Sequence, residues 1–194
     1  MRKLLGSLVL LLVAFGAQAT PITFTFSGTG SGSFDQVAFS DAAFNIQIFG
    51  DTNDVLDPAQ NLDLTANLTS LVTVSGVGQG SFTDSLFVFG GAGEDYLGFG
   101  TVFSNGNLIA FFNPDNSLTA FDLKSNFGPI VEVNDNLNQF VNAATTAGDL
   151  TFDTMSPVTF TAQLDTTQVP EPGTLALLGL GLLGVGCSKR RAKF

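Results

Sequence analysis

The 194-residue chain has no histidine, no tryptophan, one tyrosine (Tyr96) and one cysteine (Cys187). Without histidine there is no His-based triad and no zinc site of ordinary type, and no cysteine nucleophile lies ahead of the extreme C-terminal region. A single cysteine also excludes a disulfide within the chain. Basic side chains are nearly as scarce: 7 Lys+Arg stand against 17 Asp+Glu, a formal net charge of −10, and only 12% of residues are charged. Six of the seven bases sit at the two ends, leaving Lys124 alone between Thr20 and Val169. That stretch holds 16 of the 17 acids, so its own charge is 1 − 16, or −15. Nucleic-acid binding needs clustered Lys and Arg to neutralise phosphates, so this body is excluded from that class.

The apolar residues have a clear order. Arg2 and Lys3 precede an apolar run from Leu4 to Phe15, followed by Ala17-Gln18-Ala19. A charged start, a short apolar run and an A-x-A site make a secretory signal peptide, with Ala17 and Ala19 at the cleavage site and signal peptidase as the partner. The run is shorter than the ~20 apolar residues of a spanning helix, although an uncleaved N-terminal anchor is the alternative. The expected segments are a signal helix at 1–19, a β-rich extracytoplasmic domain at 20–168 and a C-terminal signal at 169–194.

At the far end stand Val169, Pro170, Glu171 and Pro172, then an apolar Leu/Gly-rich run from Leu175 to Gly186, then Lys189, Arg190 and Arg191. Two prolines around a glutamate suit an exposed spacer, because neither can sit inside a helix or a central strand. As a helix, Gly173 to Ser188 would span about 24 Å. That is slightly short of a ~30 Å hydrocarbon core, a mismatch that snorkelling basic residues and local thinning can absorb. The basic cluster acts as a stop-transfer signal that stays cytoplasmic, which agrees with a body exported by the signal peptide. Gly184-Val185-Gly186-Cys187 has a slight likeness to a lipobox, but a lipobox ends an N-terminal signal. Cys187 reads instead as a small apolar residue at the membrane boundary.

This tail resembles the PEP-CTERM sorting signal of bacterial exported proteins, which joins a V-P-E-P motif, a short transmembrane segment and an Arg-rich end. The resemblance covers about the last 26 residues. It implies recognition by an exosortase, a membrane-embedded transpeptidase, with transient anchoring in the inner membrane. The anchor would be removed near Pro170 to Pro172 and the body released or passed to the envelope or exopolysaccharide. Some classifications label such a tail an ice-binding-protein C-terminal domain; the label concerns the tail and does not reach the body. A plain C-terminal membrane anchor is the alternative.

Between the ends, apolar residues recur at every second position: Ile22, Phe24 and Phe26 alternate with Thr23, Thr25 and Ser27, Phe44, Ile46 and Ile48 with Asn45, Gln47 and Phe49, and Val158, Phe160, Ala162 and Leu164 with Thr159, Thr161 and Gln163. Period two marks half-buried strands. Further strands are expected at Leu62–Ala66, Leu68–Val74, Ser85–Phe89, Leu97–Phe103, Leu108–Phe112, Leu118–Leu123 and Ile130–Val133. Turns are expected at Gly28–Gly32, Ser75–Gly80, Gly90–Gly93 and Asn113–Asn116, and Asn105-Gly106 is a hairpin signal. A weak helical spacing runs from Asp135 to Ala147. Roughly ten short strands predict an all-β fold, an antiparallel β-sandwich or a jelly-roll-like body. Eighteen of the 20 Phe lie in this body, so the core is expected to be built mostly of phenylalanine.

Three constellations could carry chemistry. Gly90 to Gly98 fits one unit of a calcium-binding β-roll nonapeptide. A solitary unit cannot form that site, so a glycine-rich turn is the plainer reading. Asp51, Asn53, Asp54 and Asp57 offer oxygen ligands at spacings that suit calcium, but Leu56 and Leu62 occupy the places where an EF-hand needs Gly and Glu. A solvated polar loop is the alternative, and calcium is the one cofactor in view. Carboxylate catalysis needs two acids about 5–10 Å apart in a cleft. Glu94, Glu132 and the many Asp show no spacing that selects a pair. The expectation is therefore a non-enzymatic cell-surface or extracellular-matrix protein; the alternative is a module that binds polysaccharide or another surface ligand, with calcium as its optional aid.

Overall fold

The computed structural model describes residues 20–56, 62–90, 95–102, 106–112, 118–132 and 140–165. The signal peptide, the sorting tail and the Asn113–Asn116 turn lie outside them. The chain divides into two units, Met1–Leu164 and Asp165–Phe194. All the described strands belong to the first.

These strands are β1 (Pro21–Phe34), β2 (Val37–Asp51), β3 (Val55–Leu56), β4 (Leu62–Leu64), β5 (Thr69–Val74), β6 (Gly78–Gly80), β7 (Leu86–Gly90), β8 (Tyr96–Thr101), β9 (Gly106–Phe112), β10 (Phe127–Glu132), β11 (Ala143–Thr145), β12 (Gly148–Met155) and β13 (Val158–Leu164). They form two antiparallel sheets. The larger runs β10-β13-β1-β2-β5-β6, with β12 also paired to β1 and β11 to β12; the smaller runs β3-β4-β7-β8-β9. The fold is the antiparallel sandwich that the alternation predicts.

Its centre is a phenylalanine stack. Phe26 on β1 meets Phe99 on β8 at 4.9 Å and Phe111 on β9 at 6.0 Å between ring centroids, so these rings join the two sheets. Phe160 on β13 lies 5.0 Å from Phe26 on the same inner face. Phe24, Phe26, Phe99, Phe111, Phe121, Phe140, Phe152 and Phe160 are all fully buried. Each such ring removes on the order of 150–250 Å² of surface from water, which supplies most of the driving force for closing the sandwich.

Three local expectations are corrected. Gly28–Gly32 is no turn; it lies inside β1. The chain reverses three residues later at Asp35 and Gln36, whose φ values of 48° and 65° make a two-residue turn with both central residues left-handed. The glycines serve close packing: a Cβ on Gly30 would stand 2.8 Å from the Phe152 ring, and one on Gly32 would collide with the Thr151 carbonyl. Leu118–Leu123 forms no strand but an irregular segment whose Leu118, Phe121 and Leu123 point into the core. Phe121 packs on Phe127 at 4.6 Å and lies 6.5 Å from Phe24, so alternating burial arises there without a ladder.

The helix expected at Asp135–Ala147 is absent from its described part. Residues 140–142 are irregular, Ala143–Thr145 is β11, and a turn at Thr146–Ala147 leads into β12. Phe140 is held by Phe152 at 5.0 Å and by the Phe152 N–H, which donates to its carbonyl. Tertiary contacts and the β11–β12 ladder thus override a marginal helical spacing. Strand β12 was not anticipated at all.

Candidate functional site

The Asp51–Asp57 segment sits where β2 leaves the large sheet. The chain turns through a 3-10 segment, Thr52–Asp54, and enters β3. The Asp51 carboxylate accepts the Asn53 N–H at 2.8 Å and so caps this turn, while Asp54 accepts from the Asn67 side chain at 3.3 Å. Asp51, Asn53 and Asp54 thus have structural partners already, and Asp57 lies outside the described residues. Among the described residues, no three or more His, Cys, Asp or Glu come together to hold a metal ion.

Gly90 ends β7 and Tyr96 begins β8, and these strands pair antiparallel from Leu86–Thr101 to Gly90–Leu97. Residues 91–94 of the glycine-rich segment lie outside the described residues; the strands on either side are antiparallel, whereas a β-roll would need parallel neighbours. Glu132 ends β10 on the large sheet. Glu94, the other glutamate of the body, lies outside the described residues.

The outer face of the small sheet carries a feature that the period-two reading missed. Strand pairing sets Leu56 beside Asp63, Asp63 beside Phe89, Phe89 beside Gly98 and Gly98 beside Ala110. Phe87 faces Gly100, and Tyr96 faces Phe112. All these residues lie on the side away from the core, because their neighbours Val88, Leu97, Phe99 and Phe111 are the ones turned inward. Phe87 and Phe89 stand 5.7 Å apart, and Phe89 stands 5.6 Å from Tyr96.

Glycine on β8 makes room for these rings. A Cβ on Gly98 would stand 2.7 Å from the tip of Phe89, and one on Gly100 would stand 2.8 Å from the tip of Phe87. Both rings therefore lean across the neighbouring strand. Phe112 is 61% exposed and Leu56 56% exposed, Phe87 and Tyr96 are half-buried, and Phe89 is buried. The sequence signal was available: Leu86–Phe89 and Leu108–Phe112 are continuous apolar runs, which mark strands apolar on both faces. The outer face of the large sheet differs sharply, with Thr23, Thr25, Ser27, Asn45, Gln47 and Thr161 along it.

Among the described residues, two carboxyls are displaced from their ordinary range. Burial on the small sheet raises the pKa of Asp63. Burial also pushes Asp122 upward, but hydrogen bonds from the Ser125 hydroxyl and from the N–H groups of Lys124 and of Asp122 itself, with the Lys124 charge, outweigh it and hold that carboxyl below its usual value. The Ser125 and Lys124 bonds measure 2.7 and 2.9 Å.

The strand order and the buried phenylalanines define an antiparallel β-sandwich with an aromatic outer surface. The family model of the PEP-CTERM protein-sorting motif matches residues 168–191. The chain thus carries a PEP-CTERM sorting motif, which implies export and transient anchoring through the C-terminal tail for exosortase processing. That match takes in Val169, Pro170, Glu171, Pro172, Lys189, Arg190 and Arg191. Neither the curated proteins nor the solved structures provide a match to this chain.

Proposed function

We propose that this protein is a non-enzymatic component of the cell surface or extracellular matrix, handed by an exosortase to the envelope or to exopolysaccharide. The observation that carries the reading is the sorting motif at 168–191, joined to a body with no histidine and no cysteine. Such a body has few groups able to shuttle protons near neutral pH. A catalyst would have to draw on carboxylates, and the two displaced ones among the described residues lie on different elements, Asp63 on β4 and Asp122 in the irregular segment before β10.

A second reading, that the body binds polysaccharide, is favoured by the aromatic outer face of the small sheet. Contiguous apolar surface on a soluble domain marks a place of contact with something else. The non-enzymatic reading is tested by incubating the exported protein with its host's exopolysaccharide and following polymer length. Unchanged length is expected; progressive shortening would overturn it.

A further inference from the structure

We infer that the outer face of the small sheet is a binding platform for a polysaccharide bearing free amino groups. The inference deepens the polysaccharide-binding reading and rests on it. Sugar rings present flat C–H faces that stack on aromatic side chains, and ammonium groups are attracted to the faces of Phe and Tyr. Phe87 on β7 and Tyr96 and Phe112 on the paired ends of β8 and β9 provide those rings, with the buried Phe89 packed between Phe87 and Tyr96. Asp63 lies in the same array, directly beside Phe89, and supplies a carboxylate for an ammonium.

Charge complementarity selects this occupant over others. The body from Thr20 to Val169 carries −15 with Lys124 as its only base, so it repels polyuronates, nucleic acids and anionic membranes. The same charge opposes pairing of this face with a second copy of the chain. A cationic glycan is drawn to the body at long range and finds rings and a carboxylate at short range. The outer face of the large sheet carries Phe49 and the carboxylates of Asp149 and Asp153 among its Thr, Ser, Asn and Gln side chains, but no cluster of rings among the described residues.

The test is a titration of the exported protein, purified as its host processes it, with β-linked glucosamine oligomers. Their N-acetylated counterparts and uronic-acid oligomers are run alongside. Binding is expected for the amine form, about tenfold weaker binding or less for the acetylated form, and none for the anionic one. Phe112→Ala should weaken amine-form binding by about fivefold or more. Val131→Ala should leave it unchanged, since Val131 is also 61% exposed but lies on β10 of the other sheet. Neither substitution alters charge or the core, so a difference between them isolates the face from general attraction of a polycation.

Equal binding of amine and acetylated forms, or a Phe112→Ala titration that superimposes on the parent, would overturn the inference. Oligomer length, followed in the same samples, keeps the two readings apart. Shortening would count against the non-enzymatic reading, while the Phe112 dependence still decides the face.

Discussion

The Ser156 hydroxyl accepts the backbone N–H of Thr29 at 2.9 Å, while the Ser156 N–H donates to the Thr29 carbonyl at 2.8 Å. Pro157 follows and has no N–H to give a ladder. On one side of this point Met155 pairs with Gly30; on the other Thr159 pairs with Ser27. β12 and β13 are thus two halves of one bent strand along β1, closed at the bend by a side chain. Ser156→Ala should cost about 1 kcal/mol. In thermal unfolding that appears as a fall of roughly 2–4 °C with unchanged sheet content by circular dichroism. An unaltered melting temperature would show that the hydroxyl contributes nothing to closing the bend.

Gly98→Ala tests the layering of Phe89 on β8. Its Cβ would collide with the Ile109 carbonyl as well as with the Phe89 ring, and a β8 shift would disturb Phe99 in the core. A loss of about 2 kcal/mol or more is expected. Gly78→Ala is the control: the nearest atoms to its Cβ belong to Phe34 at 3.8 Å, and a change within about 0.5 kcal/mol is expected. Comparable chemical denaturation midpoints for the two variants would contradict the packing argument.

The sandwich was legible in sequence where one face of a strand meets water. β1 around Phe24 and β13 around Phe160 alternate cleanly, and both are found with Thr outward and Phe inward. Legibility failed where side chains serve packing instead of period. Gly30 and Gly32 look like turn residues, yet they are the places where Phe152 and the β12 backbone come too close for a Cβ. Leu118, Phe121 and Leu123 alternate like a strand but fill the core from an irregular segment. The sorting signal was legible because its motif is contiguous; the aromatic outer face was not, because its rings come from β7, β8 and β9 and become neighbours only through register.

The two displaced carboxyls give opposite pH dependences. Asp122 has a lowered folded pKa, so its contribution to stability is present above its unfolded value and is lost as pH falls through the folded one. Asp122→Asn should therefore destabilise at pH 7 and converge with the parent in acid. Asp63 has a raised folded pKa, so its contribution is present below the unfolded value and is lost as pH rises through the folded one. Asp63→Asn should raise the melting temperature at pH 7, with the gain vanishing below about pH 4. Melting curves of both variants across pH 3–8 check the signs; the same sign for both would contradict the assignment.

A body at −15 repels itself, so screening should stabilise it. The melting temperature is expected to rise between about 10 mM and 150 mM sodium chloride, as the Debye length falls from about 30 Å to about 8 Å. Calcium chloride at matched ionic strength separates screening from coordination. An extra rise that Asp51→Asn abolishes would put a bound ion on the Asp51–Asp57 loop.

Replacing Pro170, Glu171 and Pro172 together by Ala should block exosortase processing. The exported chain should then stay in the inner-membrane fraction at its precursor size, as read by fractionation and immunoblot in the native host. Release at the parent's size and rate would contradict recognition through this motif.

Tyr96 is the chain's one tyrosine, no tryptophan accompanies it, and its ring lies 5.6 Å from Phe89 on the outer face of the small sheet. The protein is therefore almost transparent at 280 nm, and the emission excited at that wavelength arises from this one side chain. That emission is a built-in optical probe of the aromatic face. Anything that settles there should change its intensity or anisotropy, and anything that binds the opposite sheet should leave it dark to the event.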